Sequence, residues 1–167
     1  PMLWRPVDWK NANTAAVAVV ETEGGRVMRV TGAAGTNDKA AVSLTLKGGM
    51  DISAFDALTL DARAVIGRDS MLAVGIQAHA YYESKPVPLG LQWRSPIRFP
   101  LAGSDFKTSP DWQHRSRAGG LDGVRAIFLV IYYVDECTIL VNNVHLVREP
   151  DAAPEEGAAE SPGDAKP

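Results

Sequence analysis

Cysteine is almost missing from this 167-residue chain: Cys137 stands alone. That excludes an internal disulfide and any zinc site built mainly from thiolates. Histidine is scarce too. His79, His114 and His145 fall on different predicted strands, and no HxH, HExxH or CxxC spacing occurs. There is no GxSxG elbow, no local cysteine-protease signature and no glycine-rich phosphate loop. No apolar run approaches the ~18 residues of a membrane-spanning helix. An excess of basic charge is lacking as well: the formal net charge is -3, which argues against a dedicated nucleic-acid binder. Paired carboxylates distant along the chain stay open as a hydrolytic device. The acids Asp38, Asp51, Asp56, Asp69, Asp105, Asp111, Asp122 and Asp135, however, sit in turn-like positions and read as turn formers.

Helical periodicity is also missing, limited at most to a turn near Asp51 to Asp56. Period two is present instead. Val42, Leu44 and Leu46 oppose Ser43, Thr45 and Lys47, and Leu58, Leu60 and Ala62 oppose Thr59, Asp61 and Arg63. Leu72, Val74, Ile76 and Ala78 oppose Ala73, Gly75, Gln77 and His79 in a stretch running from Met71 to Tyr81. Further strands are expected at 15–21, 26–30, 97–101, 112–117, 124–133 and 138–147, with Gly, Pro, Asn and Asp turns between nearly all of them. Nine or so strands without crossover helices predict an all-β, antiparallel sandwich. The run 124–133 is apolar at almost every position, which predicts a central strand.

The last eighteen residues, 150–167, contain no large apolar or aromatic side chain and carry a net charge of -4 from five acids and one lysine. The remainder, 1–149, therefore carries -3 + 4 = +1. The segment reads as a disordered acidic linker or tail, because it cannot bury enough apolar surface to offset the entropy of ordering. The linker reading implies an attached domain beyond residue 167, and Pro1 implies a chain processed or excised from something longer.

Binding chemistry has more to work with. If the strands around residues 58–63 and 72–81 pair as a hairpin, one exposed face carries Asp61, Arg63, Gln77, His79 and Tyr81 together. Planar polar groups suit sugar hydroxyls, and a flat ring suits the C–H face of a pyranose. A solvated, functionless face is the competing reading. With Arg125 outward, the strand alternation puts Tyr133 on the open face and Tyr132 in the core; sandwich packing of both tyrosines is the alternative. Trp93 and Arg94 follow the Pro-rich loop 84–90 and either rim a groove or, for Trp93, pack in the core. Trp4, Trp9 and Trp112 read as structural.

Three stretches carry a resemblance: MDISAFDALTLDAR at 50–63, FPLAGSDFKTSPDWQ at 99–113, and LDGVRAIFLVIYYVDECTILVNNVHLV at 121–147. With 26–30, they resemble the galactose-binding-like jelly rolls of non-catalytic carbohydrate-binding modules, and are similar to the complex I intermediate-associated protein family. The resemblance implies a concave sheet that binds a polysaccharide chain (a β-glucan, xylan, mannan or similar), in a secreted protein where the module is covalently linked to a catalytic domain. It also implies a structural calcium site, whose position here is Asn142; a neutral amide weakens such a site. Neither nucleic acid nor membrane is an expected partner. Two other classes compete. A protein-interaction or assembly domain would show an apolar patch around Ile131, Tyr133 and Trp93. A polysaccharide lyase or hydrolase would gather ionisable groups around His79, Arg63 and Tyr81.

Overall fold

The computed structural model describes residues 3–103 and 105–149. The expected tail, 150–167, lies outside the described residues. Twelve strands follow in chain order: β1 Trp4–Pro6, β2 Ala15–Thr22, β3 Gly25–Gly32, β4 Lys39–Met50, β5 Ala57–Ile66, β6 Met71–Gln77, β7 Tyr81–Ser84, β8 Val87–Pro88, β9 Arg94–Pro100, β10 Phe106–Lys107, β11 Val124–Tyr132 and β12 Cys137–Val147. The described residues contain no α-helix, only a 3-10 turn at Leu121–Gly123.

The strands make two antiparallel sheets. The first has the order β1-β4-β11-β6-β7-β10, with β8 paired to the start of β6; the second has the order β2-β3-β12-β5-β9. The predicted sandwich is therefore correct, and β11 is the central strand that its apolar run demands. The sheets close on a core in which Ile52, Leu58, Leu60, Leu72, Ile76, Leu129, Ile131 and Ile139 are fully buried. Apart from Ile52, which lies between β4 and β5, these are inward-facing strand residues, as expected for strands with one face on the core.

Several expectations need correcting. Residues 112–117 form no strand; the loop there makes only an isolated bridge from Ser116 to Phe106. The stretch from Met71 to Tyr81 is not one strand, because it turns at residues 78–80 and returns as β7, pairing Gln77 with Tyr81. The turn near Asp51 keeps within the expected limit of at most one helical turn and is non-helical: the Asp51 side chain accepts from the Ser53 backbone N–H at 2.9 Å and from the Ser53 hydroxyl at 2.6 Å. Most important, β5 and β6 are not neighbours. They belong to opposite sheets, with β5 paired to β9 and β12.

The parity of β11 also differs from expectation. Val124 and Ile127 both reach the main core although they are three residues apart. The register against β4 slips between Val124 and Ala126, opposite Gly48 and Gly49 at φ 78 and 80. Such a slip reverses the faces of every later side chain. Tyr133 is consequently buried, and Tyr132 stands on the outer face.

Candidate functional site

The outer face of the first sheet is the more elaborate surface. Register places Phe128 of β11 beside Gly75 of β6, and Gly75 beside Glu83 of β7, which in turn faces Lys107 of β10. Tyr81 and Glu83 are two apart on β7 and so share this face. Gly75 is required there: a Cβ on it would come within 2.7 Å of the Tyr81 hydroxyl and 3.0 Å of the Phe128 Cβ. The bare backbone lets the Tyr81 ring cross the sheet.

Glu83 is only 1% exposed and forms the floor of the site. Its Oε2 accepts from the Tyr81 hydroxyl at 2.8 Å, and its Oε1 accepts a short hydrogen bond from the Tyr132 hydroxyl. The Lys107 ammonium lies 2.7 Å from Oε1 and donates to the Tyr132 oxygen at 2.8 Å. A buried carboxylate needs this degree of pairing to persist. Burial foremost, with the adjacent Glu83 charge and hydrogen bond, pushes both tyrosine hydroxyls well above the ordinary range.

Two tryptophans wall the site. Trp9 reaches it because the N-terminal segment lies along β4, with Val7 N–H donating to Ala41 O and Asn13 N–H to Lys39 O. Its ring sits 5.3 Å from Phe128 and edge-on to Tyr81 at 5.5 Å. Trp112 stands on the loop after β10, 50% exposed, with its ring 6.2 Å from that of Tyr81. That loop is pinned to β7 by the Thr108 hydroxyl, which donates to Tyr81 O at 2.7 Å. The Asp111 carboxylate accepts from the Gln113 N–H at 3.0 Å and from Arg115 at 2.8 Å, contacts that hold it below the usual carboxylate range. Trp112 itself takes φ 53, an uncommon conformation for a bulky residue and one that turns up at functional sites. Together these residues and Gln77, Lys10, Asn11 and Lys39 enclose a cleft of about 590 Å³. Among these rings Trp112 is the exposed one, while Tyr81 is packed edge-on by Trp9 and Phe128, so the cleft combines aromatic walls with polar groups at its rim.

The expected site residues divide between the two sheets. Gln77 and Tyr81 line this cleft. His79 is exposed beyond the end of β6, bonded to the Tyr82 hydroxyl at 2.8 Å and packed against Gly119 and Gly120. Asp61, Arg63 and Trp93 lie on the outer face of the second sheet, in a separate groove of about 460 Å³ with Asn142 and the β2–β3 hairpin tip. There the Arg63 guanidinium covers the Trp93 ring at 5.5 Å, and Asp61 accepts from the Asn143 amide at 2.6 Å. Arg94 is exposed on β9 and donates to the Pro88 carbonyl. The single face imagined from a β5–β6 hairpin does not exist.

Tyr133 is the clearest correction. It is 5% exposed, donates to Ala33 O at 2.9 Å and accepts from the Asn13 amide at 3.2 Å. The apolar patch expected around Ile131, Tyr133 and Trp93 is therefore absent, because two of the three are core residues and the third is on the other sheet. Nor do His79, Arg63 and Tyr81 meet. Asn142 sits in the second groove, and the described residues hold no group of three or more His, Cys, Asp or Glu placed to bind a metal ion. Glu83, Lys107, Tyr132, Trp9 and Trp112 were not legible as site residues. The Tyr81-x-Glu83 spacing was the available signal, since it puts ring and carboxylate on one face.

No family model matches the sequence, and no curated protein matches it either. Solved structures do. A family 11 carbohydrate-binding module from Clostridium thermocellum, in complex with a β-1,3-1,4-mixed-linked tetrasaccharide, superposes with a TM-score of 0.68 at 16% identity, over 89% of this chain and 90% of that one. The family 30 carbohydrate-binding module of the cellulosomal cellulase Cel9D-Cel44B of the same organism gives 0.60 at 14% identity, over 87% of both chains. An exo-β-agarase gives 0.62 at 14% identity, over 90% of this chain and 24% of its own. The fold is thus the jelly roll of carbohydrate-binding modules, as the resemblance in the sequence implied.

Proposed function

We propose that the domain is a non-catalytic carbohydrate-binding module, which holds a soluble polysaccharide chain in the cleft over the outer face of the first sheet. The observation that carries this reading is the grouping of Trp9, Tyr81 and Trp112 around a fully paired Glu83 on an open sheet face. Rings offer platforms to sugar C–H faces, while Gln77, Asn11 and the lysines offer hydrogen bonds at the rim. The likeness in fold to family 11 and family 30 modules supports it. In the same reading the acidic segment 150–167 tethers the module to a catalytic domain outside the cell, raising that enzyme's effective concentration at the polymer. Asp61, Arg63 and Trp93 belong to a separate groove and take no part in this site.

Affinity electrophoresis of the full chain through gels containing β-glucans, xylans, mannans, pectins and agars tests the proposal. Retardation by at least one polymer, abolished by Trp112→Ala and kept by Trp93→Ala, is the expected result. Retardation that Trp93→Ala abolishes would move the site to the other face. A rise in reducing ends during incubation would assign an enzyme instead.

A further inference from the structure

We infer that the glycan held over the first sheet is acidic, bearing carboxylate or sulfate groups; this rests on the reading of that cleft as the polysaccharide site. Three lysines, Lys10, Lys39 and Lys107, line the cleft against one acid, Glu83, a local balance of 3 - 1 = +2. Residues 1–149 carry only +1, so everything outside the cleft sums to 1 - 2 = -1. The positive charge is therefore concentrated here. The groove on the opposite sheet has the reverse balance, Glu23 and Asp61 against Arg63.

Hydrogen-bonding capacity points the same way. Neutral sugars present hydroxyls, which donate as well as accept, and a site for them profits from free carboxylates. Glu83 is not free: both oxygens are taken by Tyr81 and Tyr132, and Lys107 is paired with it. Lys10 and Lys39 form no ion pair among the described residues. Asp8 and Asp38 are their close neighbours in sequence; both are exposed and neither lines the cleft, although the Asp38 charge is felt at the Tyr132 hydroxyl. The Lys39 ammonium instead lies 5.8 Å from the Tyr132 ring centroid. The cleft thus offers two ammonium groups outside any ion pair of the described residues, beside aromatic side chains, and no uncommitted carboxylate. Its complement is a ligand with anionic acceptors spaced along sugar rings.

The test is calorimetric titration of the full chain with three oligosaccharide sets of matched length: oligogalacturonates for carboxylate, carrageenan oligosaccharides for sulfate, and mixed-linkage β-glucan oligosaccharides as the neutral arm. At least one acidic set should bind about tenfold more tightly than the neutral one in low salt, and should lose affinity as salt is raised through about 0.15 M. Lys10→Gln/Lys39→Gln should weaken that binding about tenfold, remove most of its salt dependence and leave the thermal midpoint in place. Whichever acidic arm binds names the group recognised. Neutral oligosaccharides binding as tightly, in a Trp112→Ala-sensitive way, would overturn the acidic assignment and leave the module reading intact. Binding by no set in any salt would overturn the acidic assignment, and retardation of the same chain by xylan, mannan or agar gels, or its absence, would then decide the module reading separately. Acidic binding indifferent to the lysine pair or to Trp112→Ala would overturn the inference too, by placing the contact elsewhere.

Discussion

The Tyr81 hydroxyl donates to Oε2 of Glu83 at 2.8 Å, across two positions of one short strand. This contact joins the folding of β7 to the shape of the cleft. It buries a carboxylate that would otherwise have to be solvated, and it fixes the angle of a ring that Trp9 and Trp112 flank. Tyr132, from β11, completes the arrangement from the other side, so the site spans three adjacent strands.

Removing the acid should therefore cost stability before anything else. Glu83→Ala leaves the Lys107 ammonium, 17% exposed, without its counter-ion and two hydroxyls without an acceptor. Breaking a buried pair from one side costs about 3–5 kcal/mol. Glu83→Gln keeps an acceptor and should lose less. Urea midpoints would measure both, and an Ala variant as stable as the parent would show that the pairing of Glu83 adds nothing net to the fold.

Alkali should unfold the domain through the same tyrosines. Their folded-state affinity for the proton is raised, chiefly by burial and then by Glu83, whereas an unfolded tyrosine titrates near 10. The native state then binds more protons than the unfolded state as pH rises past that value, so stability is fully present below it and falls above it. Ultraviolet titration should show Tyr81 and Tyr132 ionising together with loss of native structure. Ionisation of Tyr81 and Tyr132 near pH 10 in a still-folded chain would contradict the burial assigned to them.

Tyr133→Ala separates the two tyrosines at the end of β11. Tyr133 fills the space against Gly32, where a Cβ would come within 2.6 Å of its ring, and holds Asn13 and Ala33. Truncation should cost about 3–5 kcal/mol, as for other large buried aromatics, with glycan affinity of the folded fraction unchanged. Tyr132→Phe should do the opposite, leaving the fold largely intact and perturbing the cleft. Scanning calorimetry beside binding on each variant would reveal any exchange of these roles.

The same pair marks where sequence reasoning stops. Alternation in β5 reads directly as core against surface, and in β6 it picks out Leu72, Val74 and Ile76 as the side on the main core although Ala73 and Gly75 opposite are buried too. In β11 one slip opposite Gly48 and Gly49 inverts the faces, and no property of Tyr132 or Tyr133 announces it. Assigning Asp61 and Arg63 to the face of Gln77 failed for a topological reason. Consecutive β5 and β6 cross between sheets, and pairing partners come from far along the chain, as with β11 beside β4. Trp9 and Trp112 were unreadable as wall residues because loops deliver them, and a loop carries no periodicity from which a facing direction follows.

Gly75→Ala offers the most selective test of the cleft, because it adds one methyl and removes nothing. That methyl would meet the Tyr81 hydroxyl at 2.7 Å, its Cε2 at 2.9 Å and the Phe128 Cβ at 3.0 Å, all tighter than ordinary contact. Something must move, and the Tyr81 ring end is the freer of the two contacts, since the Phe128 contact is at its Cβ, fixed to the backbone of β11. Overpacking of this kind costs about 1–3 kcal/mol, and the displaced ring gives up its bond to Glu83 and its place beside Trp112. Glycan affinity should fall about tenfold, equivalent to ~1.4 kcal/mol. Once Tyr81→Ala has removed the obstruction, the same glycine substitution should have little further effect on stability or binding, a coupling of the size expected for residues in contact. Strictly additive losses in that cycle would mean that Gly75 serves the sheet rather than the ring, and that Tyr81 owes its position to Glu83 alone.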